Sequence, residues 1–139
     1  DVIKSLVASN AIVICCGGGG IPVIEKDNHY TGVPAVIDKD RLSALLAKEI
    51  QADALIISTA IDSVRTGFGT EKEVSHSILT ISEARGYLES GEFPAGSMGP
   101  KISSLIDAVE NVDGLKSVLC QPGDAIKALR GDGGTIIAP

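Results

Sequence analysis

Ala11-Ile12-Val13-Ile14-Cys15-Cys16-Gly17-Gly18-Gly19-Gly20 reads as a buried strand that runs straight into a glycine turn. Its hydrophobicity is continuous rather than alternating, which favours a central strand covered on both faces. Asp53-Ala54-Leu55-Ile56-Ile57-Ser58-Thr59 repeats the pattern as a second central strand, Leu115 to Cys120 gives a third, and Thr135 to Ala138 a last one behind Gly133-Gly134. Helices fall between them. Residues 1 to 9 place Val2, Ile3, Leu6 and Val7 on one face. Asp38 suits an N-cap for a helix through Ile50, with Leu42, Leu45, Leu46 and Ile50 at helical spacing. Ser82 is read as the cap of a helix over 83–89, Gly96 to Lys101 opens one to about Val112, and Pro122 opens one to about Leu129. Residues 21–37 read as irregular and partly extended, with a turn at Tyr30 to Pro34 and a short strand at Ala35 to Ile37; 62–81 is a polar excursion. Alternating strands and helices indicate one α/β layer domain over 1–139 with a largely parallel sheet.

Composition narrows the partners. Among 139 residues, 18 are acidic and 12 basic, for a net charge of -6, and no Lys/Arg cluster occurs. With only two Tyr and two Phe, stacking platforms are scarce, so nucleic acid is not an expected partner. No apolar run reaches the roughly 18 residues of a membrane span, and Asp1 to Lys4 opens an amphipathic pattern rather than a signal peptide. The three cysteines, Cys15, Cys16 and Cys120, form no CxxC pair and lie in apolar runs. They read as buried free thiols of a reducing, cytoplasmic compartment, with redox or metal chemistry as the alternative. Cys15 and Cys16 would point to opposite faces of a strand. His29 and His76 lack metal-ligand spacing, and no metal site is expected.

Three motifs carry candidate chemistry. Gly96-Ser97-Met98-Gly99-Pro100-Lys101 reads as a glycine-rich turn opening a helix, with Pro100 at the first helical position and Lys101 on the first turn. Free amides, the helix dipole and the ammonium would together favour an anion, although the Walker A spacing is absent. Lys101 is placed near an exposed helix start, so its loss should spare folding. The bland alternative is a solvated lysine behind a Gly/Pro turn. Gly17 to Gly20 stands where ligands of open α/β sheets bind, or is a turn that merely needs positive φ. Its spacing does not fit a Rossmann dinucleotide loop. In Asp38-Lys39-Asp40 the lysine either pairs locally or binds phosphate beside an orienting carboxylate.

In order along the chain, GGGGIPVI (Gly17 to Ile24), AVIDKD (Ala35 to Asp40), ADALIISTAIDSV (Ala52 to Val64), FGT (Phe68 to Thr70), FPAGSMGPK (Phe93 to Lys101) and GTIIAP (Gly134 to Pro139) resemble the carbamate kinases of the amino acid kinase family. The resemblance implies a three-layer αβα sandwich with a mostly parallel central sheet, present in part. It implies reversible phosphoryl transfer between ATP and carbamate, with Mg²⁺ on the nucleotide and a homodimer in the complete protein. By motif, Lys39 and Lys101 would contact phosphates and Asp40 would orient the lysines. Asp62, Phe68, Gly96, Ser97 and Met98 would lie at the nucleotide, and Gly17, Gly18, Gly19 and Gly20 on the side of the small-molecule substrate. Two departures accompany the match. The chain corresponds to the C-terminal, nucleotide-binding half of such an enzyme, which leaves a catalytically incomplete binding domain as the alternative. Arg65-Thr66-Gly67 stands where the family usually has hydrophobic residues and an asparagine.

Overall fold

The apolar runs at 53–59 and 115–120 become neighbouring parallel strands in the computed structural model, which describes residues 1–139. The elements in order are α1 (Val2–Ala8), β1 (Val23–Lys26), β2 (His29–Gly32), α2 (Lys39–Ile50), β3 (Ala54–Ser58), β4 (Val64–Thr66), β5 (Val74–His76), β6 (Ile78–Thr80), α3 (Ile81–Glu89), α4 (Met98–Asn111), β7 (Lys116–Cys120), α5 (Ala125–Arg130) and β8 (Thr135–Ala138). The main sheet has the order β3-β7-β8-β6. β3 and β7 run parallel, as do β6 and β8, while β7 and β8 are antiparallel. The sheet is therefore mixed but mostly parallel, as the α/β reading expects. β1–β2 and β4–β5 are separate antiparallel hairpins.

Alternation along β7 explains the layering. Leu119 packs with Ile102, Leu105 and Ile106 of α4, and Ser117 donates to the Leu105 carbonyl at 2.9 Å. Val118 and Cys120 face the other way, onto Ala128 of α5. One face is thus covered by α4 and its neighbours α2 and α3, the other by the short α5. Thr135, fully buried at the start of β8, ties the hairpin to the sheet. Its hydroxyl accepts from Val64 N at 2.7 Å and donates to the His76 carbonyl at 2.5 Å.

Several expectations are corrected. Ala11 to Cys16 is not a strand: it pairs with nothing, and Ile12 and Ile14 are 98% and 99% exposed. A central strand needs an edge on each side, and no other strand lies against this segment. Cys15 is exposed rather than buried, although burial does push the thiols of Cys16 and Cys120 up. α1 forms as expected, but none of its residues is buried. Tyr30 to Gly32 belongs to β2, and the turn sits earlier, at Asp27-Asn28, where both residues have positive φ. Ala35 to Ile37 forms no strand. The cap of α3 is Thr80 rather than Ser82: Thr80 Oγ1 accepts from Glu83 N at 3.2 Å, and the Glu83 carboxylate accepts from Thr80 N at 2.9 Å. That reciprocal pair is the capping box. Pro122 precedes α5 by a turn, and Asp124 stands at its start.

Candidate functional site

Asp38, Lys39 and Asp40 have three separate tasks at the start of α2. The Asp38 carboxylate accepts from Asp40 N and Arg41 N, both at 3.0 Å, and caps the helix. These bonds, the one from Arg41 first, hold its carboxyl below the ordinary value. Asp40 turns inward and is buried. Its Oδ2 accepts from Lys101 Nζ at 2.9 Å and lies 3.6 Å from Lys39 Nζ. Packing of α2 on α4 closes this contact across 61 residues of sequence. Two ammonium groups on one carboxylate leave a net positive charge, and each lysine keeps donors for a further acceptor. The arrangement can orient cations toward an anionic group.

The first turn of α4 differs in detail from the sequence reading. The helix starts at Met98, so Pro100 is its third residue and Lys101 its fourth. Gly99 has no positive φ but packs closely: an added Cβ would sit 3.3 Å from the Pro94 carbonyl oxygen, a tight contact. Gly99 N donates to that same carbonyl at 2.9 Å, and Pro100 has no N–H. Attraction for an anion here rests on Lys101 and the helix dipole more than on free amides.

Two hollows bear on the site, and only the first is lined by residues of this cluster. One, of about 270 Å³, lies beside the C-terminal half of β3 and brings Gly17 together with Lys39, Asp40 and Ser58. Gly18, Gly19 and Gly20 are not among its lining residues. Gly19 has φ +73 and is pressed against the Ile37 carbonyl, where a side chain would collide, so it serves the turn itself. The other, a cleft of about 520 Å³, runs between the β4–β5 hairpin and the segment entering α4. Phe68, Ser97 and Met98 line it, as do Ile61, Phe93 and Pro94. Gly96 is exposed and outside the lining. Met98 and Lys101 stand one turn apart on α4, so they lie on the same side of the helix.

Asp62 reaches the cleft only through Arg65. Arg65 Nη2 donates to Asp62 Oδ1 at 3.0 Å, and Nη1 donates to Glu73 Oε1 at 2.7 Å. The guanidinium, ahead of Ser63, holds the Asp62 carboxyl below its usual range. For Glu73 the larger cause of the same shift is the Gly69 N–H, with Arg65 second. Glu92 accepts from Gly67 N and lines the cleft opposite the hairpin. Sequence reasoning passed over Glu73 and Glu92, because isolated acidic residues in polar loops announce no partner. Arg65 was visible only as a departure from the family pattern. His76 is structural: its Nε2 meets Thr66 Oγ1 at 2.9 Å, and its ring packs 5.6 Å from that of Tyr87. Nowhere do three His, Cys, Asp or Glu side chains converge as a metal cage.

The chain belongs to the amino acid kinase family, whose family model matches residues 1–120. Within that family it is similar to carbamate kinases. It is 45% identical over 137 residues to the carbamate kinase of Halobacterium salinarum and 41% identical over 139 residues to that of Pyrococcus horikoshii. Those alignments cover 99% and 100% of this chain but 44% of each relative, so the chain spans less than half their length. The carbamate kinase of Giardia lamblia, solved with AMP-PNP, superposes with a TM-score of 0.90 at 37% identity, covering 99% of this chain and 43% of that one. No helix here is long and apolar enough to cross a membrane.

Proposed function

We propose that the chain is the nucleotide-handling part of a carbamate kinase-type phosphotransferase, catalysing ATP + carbamate ⇌ ADP + carbamoyl phosphate. The observation that carries this reading is the Lys101–Asp40–Lys39 cluster, held at 2.9 and 3.6 Å, with Met98 one turn before Lys101 lining a cleft of about 520 Å³. In the forward direction the bond from the γ-phosphorus to the ADP oxygen breaks, and one from phosphorus to a carbamate oxygen forms. Such transfer asks of the protein mainly positioning and cations against the charge of the moving group. Lys101, oriented by Asp40, supplies one such cation and Lys39 a second. Met98, Ser97 and Phe68 hold the nucleotide. Gly17, at the hollow shared with Asp40, faces the acceptor side. Mg²⁺ characteristically binds through phosphates, waters and one or two carboxylates; here it would come with the nucleotide. It would supply further positive charge there. A cytoplasmic homodimer completes the proposal.

The chain's coverage of 44% of its relatives favours a second reading, a nucleotide-binding unit without turnover of its own. ATP formation from carbamoyl phosphate and ADP separates the two. The whole protein containing this chain should turn over, while the purified 139-residue chain should bind ADP weakly and stay inactive, because misplacing reacting groups by ~1 Å can cost about 10²-fold. No turnover by the whole protein would overturn the kinase assignment. Full turnover by the 139-residue chain would overturn the dependence on residues outside it.

A further inference from the structure

Arg65 is held in an unusual way for a cleft residue. It sits on β4 between Val64 and Thr66, which turn inward, so its side chain faces the cleft. Each terminal nitrogen donates to a carboxylate in the plane of the guanidinium, Nη2 to Asp62 and Nη1 to Glu73. Nε is buried and has no partner. The guanidinium so anchored lines the cleft, and 35% of the side chain remains exposed. A guanidinium whose charge is already balanced by two carboxylates is drawn to a phosphate less than a free arginine would be. It can stack on an aromatic ring, which its planar, weakly hydrated cation does well. Phe68 and Met98 stand in the same cleft as apolar surface for such a ring.

We propose that Arg65 is a base-positioning residue: its guanidinium face stacks on the purine of the bound nucleotide, held in plane by Asp62 and Glu73. The proposal rests on the reading of this cleft as the nucleotide site. It also gives Asp62 an indirect role, through Arg65, in place of direct contact with the nucleotide.

The test compares a ligand with a base and one without, ADP and inorganic pyrophosphate, by calorimetric titration of the whole protein. Arg65→Ala should weaken ADP binding about 2- to 30-fold, the range of a cation–π contact, and leave pyrophosphate binding within twofold of wild type. Arg65→Lys should behave like Arg65→Ala, since it keeps the charge and loses the face. Arg65→Tyr should restore much of the ADP affinity, because a flat ring can stack without the charge; it also controls for a hairpin that fails to fold. Equal weakening toward both ligands, full affinity in Arg65→Lys, or no rescue by Arg65→Tyr would each overturn stacking. A wild-type protein that binds pyrophosphate but not ADP would overturn the nucleotide reading of the cleft as well.

Discussion

Replacing Lys101 by methionine removes the ammonium and keeps much of the stem. In the folded chain Nζ donates to Asp40 at 2.9 Å, and the two side chains are only 15% and 10% exposed. A hydrogen bond to a charged group contributes about 1.5–3 kcal/mol net. Stripping one partner from a fully buried pair costs more, about 3–5 kcal/mol. Here Lys39 stays 3.6 Å from the same carboxylate oxygen and moderates the loss. The expected destabilisation is therefore about 1–2 kcal/mol. This corrects the sequence-based expectation that folding would be spared, since Lys101 is paired rather than exposed. The effect on rate should be larger, about 10²–10³-fold, the usual result of removing one group aimed at developing charge. Asp40→Asn should also slow turnover while nucleotide binding persists, because the lysines remain but lose their anchor. Initial rates of ATP formation and chemical denaturation, measured on the same whole-protein samples, separate the two quantities. The double variant should show a coupling of about 1 kcal/mol or more between the two sites. Wild-type turnover in a folded Lys101→Met protein, or strict additivity with Asp40→Asn, would refute the reasoning.

Thr80→Ala should cost about 1 kcal/mol in urea denaturation by removing the cap of α3, whereas Ser82→Ala should change stability by less than about 0.5 kcal/mol; the reverse order would return the cap to Ser82. Gly134→Ala should destabilise by about 1–3 kcal/mol or more, since φ is +72 and the new Cβ would lie 2.5 Å from the Leu119 carbonyl oxygen. Gly133→Ala meets open space and should be close to neutral when both glycine variants are compared by urea denaturation. Acid should loosen the β4–β5 hairpin first. Asp62 and Glu73 have carboxyls lowered in the folded state, so their contribution is complete above their unfolded values of about 4 and is lost as pH falls through the lowered ones. Amide exchange at Val64 to His76, followed from pH 6 to pH 3 relative to the core strands, should rise below about pH 4 and do so much less in the Asp62→Asn, Glu73→Gln double variant.

What could be read from the sequence tracks what each signal physically reports. Periodicity reports what a segment can bury, and it served well where a partner is present: β3, β7 and β8 form within their apolar runs, and α2 forms from its Asp38 cap. Ala11 to Cys16 carries the same signal and stays unpaired, because a run of Ile and Val says nothing of whether an edge is available to receive it. Polar segments fail for the opposite reason. The β1–β2 hairpin is exposed throughout and is set by its turn residues Asp27-Asn28 rather than by a buried face, and β4 buries Val64 and Thr66 but is too short, at three residues, for its alternation to be legible. At the candidate site the residue types were legible and the partnerships were not. Lys101 announces itself through the Gly/Pro turn before it, and Asp40 through its neighbours. That the two meet depends on α2 crossing α4, which no local pattern encodes. Arg65 illustrates the same limit from the other side. A charged residue replacing the expected hydrophobic one looks like damage to a base pocket, until Asp62 and Glu73 are seen to balance its charge and anchor the guanidinium in the wall of the cleft. A substitution at a binding surface therefore has to be judged by what its neighbours allow the new side chain to present.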